Sequence, residues 1–291
     1  MSLPPEILKK VKLLEISTRK LVNNLFAGEY HTAFKGQGMT FADFREYVPG
    51  DDIRHISWPL TARTGKPFIK KFDEEREMTL MLLVDVSGST DFGSRDLFKG
   101  EVMAHLAALL AFSAAKNNDQ VGLLLFSDQV EHYVPPKKGH GHVQRILRDL
   151  YYHKPKSRET KLEPSLRFLQ GVLKKRAAIF VMSDFIDSGY DESLRMLGRK
   201  HEVVSVVVRD QLEQGLPSIG LMDLCDNETG EIVTIDTSSQ SFQKEWRDLW
   251  KAKDIERDKL LRKSQVDRVD VWVNGDFVDP LVKYFKARQR R

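Results

Sequence analysis

The strongest constraint on the fold of this chain is a series of short, continuously apolar segments that alternate with longer amphipathic segments after Met78. A short run that is apolar at every position is typical of a parallel strand buried on both faces. The longer segments have the length and periodicity of crossover helices. The pattern therefore predicts an α/β fold: a doubly wound, mostly parallel sheet with helices on both faces.

Each predicted element can be assigned to a range of residues. The predicted strands are Leu80–Val86, Val121–Phe126, Ala177–Met182, Val203–Val208 and Val269–Val273. The predicted helices are Asp96–Lys116, Val143–Tyr152, Pro164–Lys174, Glu192–Gly198 and Ser241–Arg262. Val130–Val134 suits a short antiparallel edge strand, and Leu221–Ile235, with a turn at Asn227–Gly230, suits a hairpin.

Two segments with other patterns precede the α/β region, residues 79–291. Apolar residues recur at helical spacing within residues 1–28, which predicts an N-terminal amphipathic helix packed on the main body. Residues 29–78 are rich in glycine, arginine, aspartate and aromatic residues with little periodicity. An irregular, β-rich segment of turns and short strands is expected there.

Composition limits the classes of protein that the chain can represent. With 291 residues, of which 41% are hydrophobic, it can bury a large core. The net charge of +4 is the balance of many charges of both signs, which indicates solubility and argues against a nucleic-acid partner. The single cysteine, Cys225, excludes an intramolecular disulfide and a cysteine-rich zinc site, and it favours a reducing compartment.

The sequence has no run of about 20 apolar residues, the length that a membrane-spanning helix needs. Charged residues at Lys9, Lys10, Lys12 and Glu15 interrupt any apolar core of a signal peptide. A cytoplasmic protein without a membrane span is therefore expected.

Oxygen-bearing side chains follow two predicted strands that lie close together if the Leu80–Val86 strand is central in the sheet. Asp85, Ser87 and Ser89 end the first strand, and Asp184 lies just beyond the third. In a doubly wound sheet, ligands bind beyond the carboxyl ends of the strands, where the strand order reverses. Thr160, in the loop before a later helix, is a further donor. Because all five donors are oxygens, the sequence predicts a site for Mg²⁺ or Mn²⁺.

Each of these residues also has a structural explanation. Ser89 or Asp91 could cap the following helix. Thr160 with Glu163 could form a capping box, and Asp184 could begin a turn. Their position on loops that the fold brings together favours the metal site over these separate explanations.

Two functions from different classes follow from such a site. An incompletely filled coordination shell would accept an acidic side chain of a partner protein, so a non-enzymatic, metal-dependent interaction module is the leading hypothesis. The alternative is a metal-dependent hydrolase, for which Asp91 is the nearest candidate general base. The chain has no Gly-x-x-x-x-Gly-Lys-Ser/Thr loop and is not expected to be a P-loop ATPase.

Two other polar segments are interpreted structurally. Gly139–His142 holds two imidazoles without an evident third metal ligand, so a flexible loop before the next helix is expected. The basic C-terminal residues are interpreted as a solvated tail, although together with the N-terminal helix they could form a surface for nucleic acid or anionic lipid. These basic residues are Lys286, Arg288, Arg290 and Arg291.

The metal-site residues resemble a known arrangement. Asp85, Ser87 and Ser89 match the first motif of the metal-ion-dependent adhesion site (MIDAS) of von Willebrand factor type A domains, Thr160 matches the threonine of its second loop, and Asp184 the aspartate of its third. The segment before them resembles the signature of the bacterial family called domain of unknown function 58. The matching residues are Gly36-Gln-Gly38-Met-Thr-Phe41, Arg45-Glu46-Tyr47, Pro49-Gly50-Asp51-Asp52-Ile-Arg54, Ile56-Ser-Trp58 and Ala62-Arg63-Thr-Gly65.

This resemblance implies a von Willebrand A-like fold. It also implies a frequent association with MoxR-type AAA+ ATPases, in which the chain would act as an adaptor or chaperone-like partner. No catalytic activity is established for that family. In the signature segment, Arg45, Asp51, Asp52, Arg54 and Arg63 are expected to form a charged network around Trp58. The residues leave open whether that network is a partner surface or only fixes the segment.

Overall fold

A computed structural model of the chain describes residues 38–75, 78–93 and 97–290. These residues fall into two units, one within Phe34–Met78 and the other within Thr79–Arg291. The helix predicted for residues 1–28 lies outside the described residues.

The smaller unit contains a two-stranded antiparallel sheet. Strand β1 (Gly38–Glu46) pairs with β2 (Phe68–Glu75), and a register shift within β1 marks a β-bulge. A 3-10 helix (Ile53–His55) and helix α1 (Trp58–Thr64) lie between the strands. Helix α1 was not predicted, because a helix of seven residues is too short to produce a periodic apolar pattern.

The charged residues of this unit form separate pairs. The Arg45 guanidinium donates two hydrogen bonds, of 2.8 and 2.6 Å, to the Asp51 carboxylate, and these bonds hold the pKa of Asp51 below its usual value. Arg54 pairs with its near neighbour Asp52 over 2.8 Å. Trp58 is 69% exposed. The expectation of one network enclosing Trp58 is therefore wrong, since Arg45 and Arg54 each pair with a different aspartate close to them in sequence.

The larger unit is built on a six-stranded sheet. The strands of this sheet are β3 (Thr79–Asp85), β4 (Gln120–Phe126), β5 (Val130–Lys137), β6 (Ala178–Ser183), β7 (Glu202–Arg209) and β10 (Asp267–Trp272). Between β7 and β10 along the chain, β8 (Leu221–Cys225) and β9 (Ile232–Asp236) form a separate antiparallel hairpin. The order in the large sheet is β10-β7-β6-β3-β4-β5. Within this six-stranded sheet only β4 and β5 pair antiparallel, so the predicted mostly parallel sheet is confirmed.

Helices connect the strands and cover the sheet. They are α2 (Lys99–Lys116), α3 (His140–Tyr152), α4 (Glu163–Val172), α5 (Asp191–Lys200), α6 (Gln240–Ser264) and α7 (Val278–Gln289). No helix within the described ranges combines the length and apolarity that crossing a lipid bilayer requires.

The sheet is buried on both faces. Met81 and Leu83 of β3 pack in one core cluster with residues of α4, α5 and α6. Phe180 points to the opposite face, where its ring packs edge-on against Phe285 of α7, with ring centres 6.3 Å apart. Two covered faces explain why the strands are apolar at every position rather than at alternate ones.

The start of helix α3 differs from the sequence-based expectation. Helix α3 begins at His140, so the prediction of a loop over Gly139–His142 is wrong. The extra turn is held because the His142 ring lies 3.0 Å from the Val121 carbonyl oxygen and the His140 ring packs on Phe112. Gly139 precedes the helix with a φ of +103°, a conformation that glycine adopts without strain.

The basic C-terminal residues are also more ordered than predicted. Lys286 and Arg288 lie in helix α7. Arg288 forms ion pairs with Glu202 and, at 2.8 Å, with Asp267, so it is attached to the sheet edge rather than solvated. Helix α7 was not predicted because few of its residues are buried; Leu281 and Phe285 are the buried ones.

The strand order fixes the position of the candidate site. Among the strands of the large sheet β3 comes first along the chain; the next strand, β4, lies on one side of it, and β6 lies on the other. The chain therefore reverses its direction of winding between β3 and β6, and the crevice beyond their carboxyl ends is where such folds bind ligands. β3 ends at Asp85 and β6 at Ser183.

Candidate metal centre

Asp85 is the last residue of β3 and is only 1% exposed. Its Oδ1 accepts a hydrogen bond of 2.9 Å from the Ser87 N–H, and its Oδ2 accepts one of 2.7 Å from the Ser183 hydroxyl. Both donors are neutral. Burial raises the pKa of Asp85 to about 7, and the nearby charge of Asp184 adds to the shift. Asp85 is thus a buried carboxylate that an added cation would stabilise.

Three hydroxyl groups form a hydrogen-bonded cluster next to Asp85. Ser87 Oγ lies 3.0 Å from Ser89 Oγ and 2.7 Å from Thr160 Oγ1. A 3-10 helix, Gly88–Asp91, directly follows Ser87 and sets the positions of the two serines. Four of the five predicted metal-site residues are therefore brought together from the two loops that follow β3 and α3.

Hydrogen bonds between main-chain groups hold the Thr160 loop against the loops that follow β3 and β4. The Gly88 N–H donates to the Arg158 carbonyl oxygen over 2.8 Å. The Lys161 N–H donates to the Ser127 carbonyl oxygen over 3.0 Å. These bonds flank Thr160 on both sides, so its hydroxyl is fixed relative to Ser87 by backbone geometry.

A buried glutamate also positions this loop. The Glu131 carboxylate accepts hydrogen bonds from the Ser127 hydroxyl at 2.7 Å and from the N–H groups of Lys156 and Ser157 at 3.1 and 3.3 Å. These hydrogen bonds outweigh the effect of burial and keep the pKa of Glu131 below its usual value. Glu131 therefore acts on the site indirectly, through the loop that carries Thr160.

The capping alternatives are not observed. Helix α2 begins at Lys99 with Phe98 at its N-cap, so neither Ser89 nor Asp91 caps it. Helix α4 has Leu162 at its N-cap without a side-chain capping bond, so the predicted capping box of Thr160 with Glu163 is wrong. Asp91, the candidate general base of the hydrolase alternative, is exposed at the end of its 3-10 helix.

Asp184 has a different environment from the other four residues. Its Oδ2 accepts a hydrogen bond of 3.0 Å from Nζ of Lys99, and its Oδ1 accepts one of 3.1 Å from the Ile186 N–H, which forms the turn expected after β6. The ammonium of Lys99 also lies 2.5 Å from Oε1 of Glu213. Burial raises the pKa of Asp184, but the charge of Lys99 outweighs it and keeps that pKa low. One carboxylate of the predicted site is thus already paired with a cation.

Arg257 supports Asp184 from helix α6. Its Nη1 donates to the Asp184 carbonyl oxygen over 3.3 Å, and its Nη2 lies 2.5 Å from Oδ1 of Asp254. Asp254 also pairs with Arg209. Asp184 is therefore held by its side chain and its main chain at the same time.

A residue of the β8–β9 hairpin completes the cluster. The Thr160 hydroxyl lies 2.7 Å from Oε1 of Glu228. Burial raises the pKa of Glu228, and the hydrogen bond from Thr160 only partly offsets this. The Arg158 guanidinium donates to the Asn227 carbonyl oxygen over 3.3 Å. The tip of the hairpin thus lies directly beside the predicted metal ligands.

Sequence reasoning missed three charged residues of this region: Lys99, Glu213 and Glu228. Lys99 falls in a segment predicted to be helical, where a lysine is expected at the surface, and nothing in its neighbours indicates burial. Glu213 and Glu228 follow β7 and β8, and their approach to the site depends on long-range packing. Only the turn composition of residues 226–230 was a usable signal.

The donor set fits a hard divalent cation. Asp85, Ser87, Ser89, Thr160 and Glu228 all offer oxygen, the ligand that Mg²⁺ and Mn²⁺ prefer. Within the described ranges, no group of three or more His, Cys, Asp or Glu side chains is arranged to hold a metal ion. A cation here would therefore depend on hydroxyl groups and water for much of its coordination shell.

Comparisons with known proteins agree with this architecture. The model of the family described as protein of unknown function DUF58 matches residues 43–256. The uncharacterized proteins Rv1480 of Mycobacterium tuberculosis and Mb1516 of Mycobacterium bovis are each 27% identical over 231 residues, which cover 78% of this chain and 73% of theirs.

Two solved structures share the fold. The conserved hypothetical protein BatB from Bacteroides thetaiotaomicron superposes with a TM-score of 0.50 at 14% identity, covering 74% of this chain and 100% of that chain. An aerotolerance-related membrane protein from Bacteroides fragilis gives a TM-score of 0.50 at 14% identity, covering 73% of this chain and 98% of that one. At this identity the similarity concerns the fold alone.

Proposed function

The chain belongs to the DUF58 family of proteins of unknown function, and we propose that it is a metal-dependent protein interaction module with a von Willebrand A-like domain. The observation that carries the proposal is the hydroxyl cluster of Ser87, Ser89 and Thr160 beside the buried carboxylate of Asp85. Three hydroxyl groups that face one another at the carboxyl end of an apolar sheet form a set of oxygen ligands for a shared cation. The order of the strands supports the same location.

Each residue has a separate part in holding the ion. Asp85 supplies the buried negative charge, and Ser87, Ser89 and Thr160 supply neutral oxygens. Asp184 contributes charge near the site while Lys99 keeps its carboxylate fixed. When bound, the cation supplies a positive centre with an open position for an oxygen of another molecule.

The partner would present an acidic side chain. A carboxylate satisfies both the charge and the oxygen preference of a hard cation. The resemblance of the signature segment to its family supports a MoxR-type AAA+ ATPase as the class of partner, with this chain as an adaptor or chaperone-like subunit.

Metal binding tests the proposal directly. Free Mn²⁺ is measured by electron paramagnetic resonance as the full-length chain is titrated, for the wild type, Asp85→Asn and a matched control, Asp91→Asn. The wild type and the control are expected to bind one Mn²⁺, which Mg²⁺ displaces, and Asp85→Asn is expected to lose at least about tenfold in affinity. No binding by the wild type, or equal binding by Asp85→Asn, would overturn the proposal.

Partner capture tests the second half of the proposal. The tagged chain is used to capture a purified MoxR-type ATPase of the same organism, once in buffer with Mg²⁺ and once in buffer with a chelator. Capture is expected in Mg²⁺ alone, and Asp85→Asn is expected to abolish it. Capture that persists in chelator would show that the interaction does not use this site.

A further inference from the structure

The tip of the β8–β9 hairpin, residues 226–230, lies over the site. Oε1 of Glu228 is 2.7 Å from the Thr160 hydroxyl, which in turn is 2.7 Å from Ser87 Oγ. A carboxylate of this chain is therefore in contact with the same hydroxyl cluster that would receive the carboxylate of a partner.

The approach of the hairpin tip is close and specific. A Cβ atom added to Gly88 would lie 2.3 Å from the Asn227 carbonyl oxygen, so a residue other than glycine at position 88 would push the tip away. The same carbonyl oxygen accepts a hydrogen bond from Arg158. Inside the tip, the Asp226 carboxylate accepts a hydrogen bond of 2.8 Å from the Glu228 N–H, which fixes the turn.

The charge at the tip needs an explanation. Glu228 adds a third carboxylate beside the hydroxyl cluster, and the charge of Asp184 repels it because both groups are partly removed from water. Lys99 is engaged by Asp184 and Glu213. A divalent cation among the hydroxyl groups would turn this repulsion into attraction.

The hairpin is also suited to move. It forms a sheet of its own with two strands of five residues each, separate from the six-stranded sheet. Isolated two-stranded hairpins are only marginally stable. Its outer side chains are largely in water, as shown by Leu221 at 76% exposure and Ile232 at 65%.

From these contacts we propose that Glu228 is an internal substitute for the acidic residue of the partner. In the resting protein it occupies the open position of the metal site, and the partner displaces it together with the hairpin tip. The inference rests on the proposed function, since it concerns the same cation. The metal site is then autoinhibited by Glu228, so only a partner that competes with Glu228 gains access to the cation.

The experiment uses acetate as a carboxylate probe on the Mn²⁺-loaded full-length chain. Water proton relaxation reports whether acetate replaces water at the bound Mn²⁺. The variants are Glu228→Gln, which keeps the shape and removes the charge, and Glu231→Gln, an exposed glutamate on the same hairpin, as the control.

The wild type and Glu231→Gln are expected to respond weakly to acetate, whereas Glu228→Gln binds acetate at least about tenfold more tightly. Equal acetate affinity in Glu228→Gln and the wild type, with Mn²⁺ bound in both, would overturn this inference and leave the proposed metal site standing. Failure of the wild type to bind Mn²⁺ would overturn both.

Discussion

Lys99 and Asp184 form an ion pair whose N···O distance is 3.0 Å, with side chains only 2% and 5% exposed. Lys99 lies at the start of helix α2 and Asp184 just beyond β6, so the pair joins two elements that are far apart in sequence. Glu213 lies on the other side of the same ammonium. Asp184 and Glu213 therefore share the Lys99 ammonium as their closest counter-ion.

Replacing Lys99 by methionine should destabilise the protein by about 3–5 kcal/mol, because Asp184 and Glu213 would remain buried without their closest counter-ion. Chemical denaturation measures the change in the free energy of unfolding. Lys244→Met, at an exposed position of helix α6, is the control and should change it by less than about 0.5 kcal/mol. A loss below about 1 kcal/mol in Lys99→Met would contradict the role given to this pair.

Protonation of His201 should oppose folding in mild acid. The ring is 3% exposed, and within the described residues neither of its nitrogens has a hydrogen-bond partner. Burial, helped by the charges of Lys200 and Arg176, lowers its pKa from 6.5 to about 4. Between these values the unfolded chain binds the additional proton, so the contribution of His201 to stability rises with pH and is lost as the pH falls from 6.5 towards 4.

The matching measurement is urea denaturation of the wild type and His201→Leu at pH 7.5 and pH 4.5. The wild type should lose up to about 3 kcal/mol more than the variant on acidification. Parallel pH profiles for the two proteins would show that His201 does not titrate in this way.

Gly88→Ala should displace the hairpin tip, because the added Cβ would meet the Asn227 carbonyl oxygen at 2.3 Å. Amide hydrogen exchange in residues 226–230 should become faster, with a loss of about 1–3 kcal/mol in stability. Gly171→Ala, whose added Cβ meets nothing within 4 Å, is the control and should leave that exchange unchanged. Unchanged exchange in Gly88→Ala would mean that the tip does not pack on Gly88.

Glu131→Gln should weaken metal binding without removing any ligand. The neutral amide accepts the Lys156 and Ser157 N–H groups less strongly, so the loop carrying Thr160 becomes mobile. We expect about tenfold weaker Mn²⁺ binding and faster amide exchange in residues 156–161. Glu159→Gln, exposed in the same loop, should match the wild type in both measurements. A fall in affinity without faster exchange would refute the positioning role.

Most of the fold could be predicted from the sequence, and the reason is physical. Strands buried on both faces are apolar at every position, as in β3, and this signal is local. Helix α7 was missed because its packing involves few side chains, and α1 because it is short. The start of α2 was placed at Asp96 rather than Lys99, since the cap at Phe98 is not a usual capping residue.

The candidate metal site could be predicted only in part from the sequence. Asp85, Ser87, Ser89 and Thr160 could be grouped because strand order brings their loops together, and motif spacing gave their positions. The burial of Lys99 and the approach of Glu228 depend on how a helix start and a hairpin pack in three dimensions. No local pattern of residues encodes those contacts.

The most direct test of the central claim is an anomalous difference map from a crystal of this protein grown with Mn²⁺. The account predicts a single strong peak at the mouth of the sheet, bounded by the oxygens of Asp85, Ser87, Ser89 and Thr160. A map without a peak there, from crystals in which Mn²⁺ is present in excess, would contradict it.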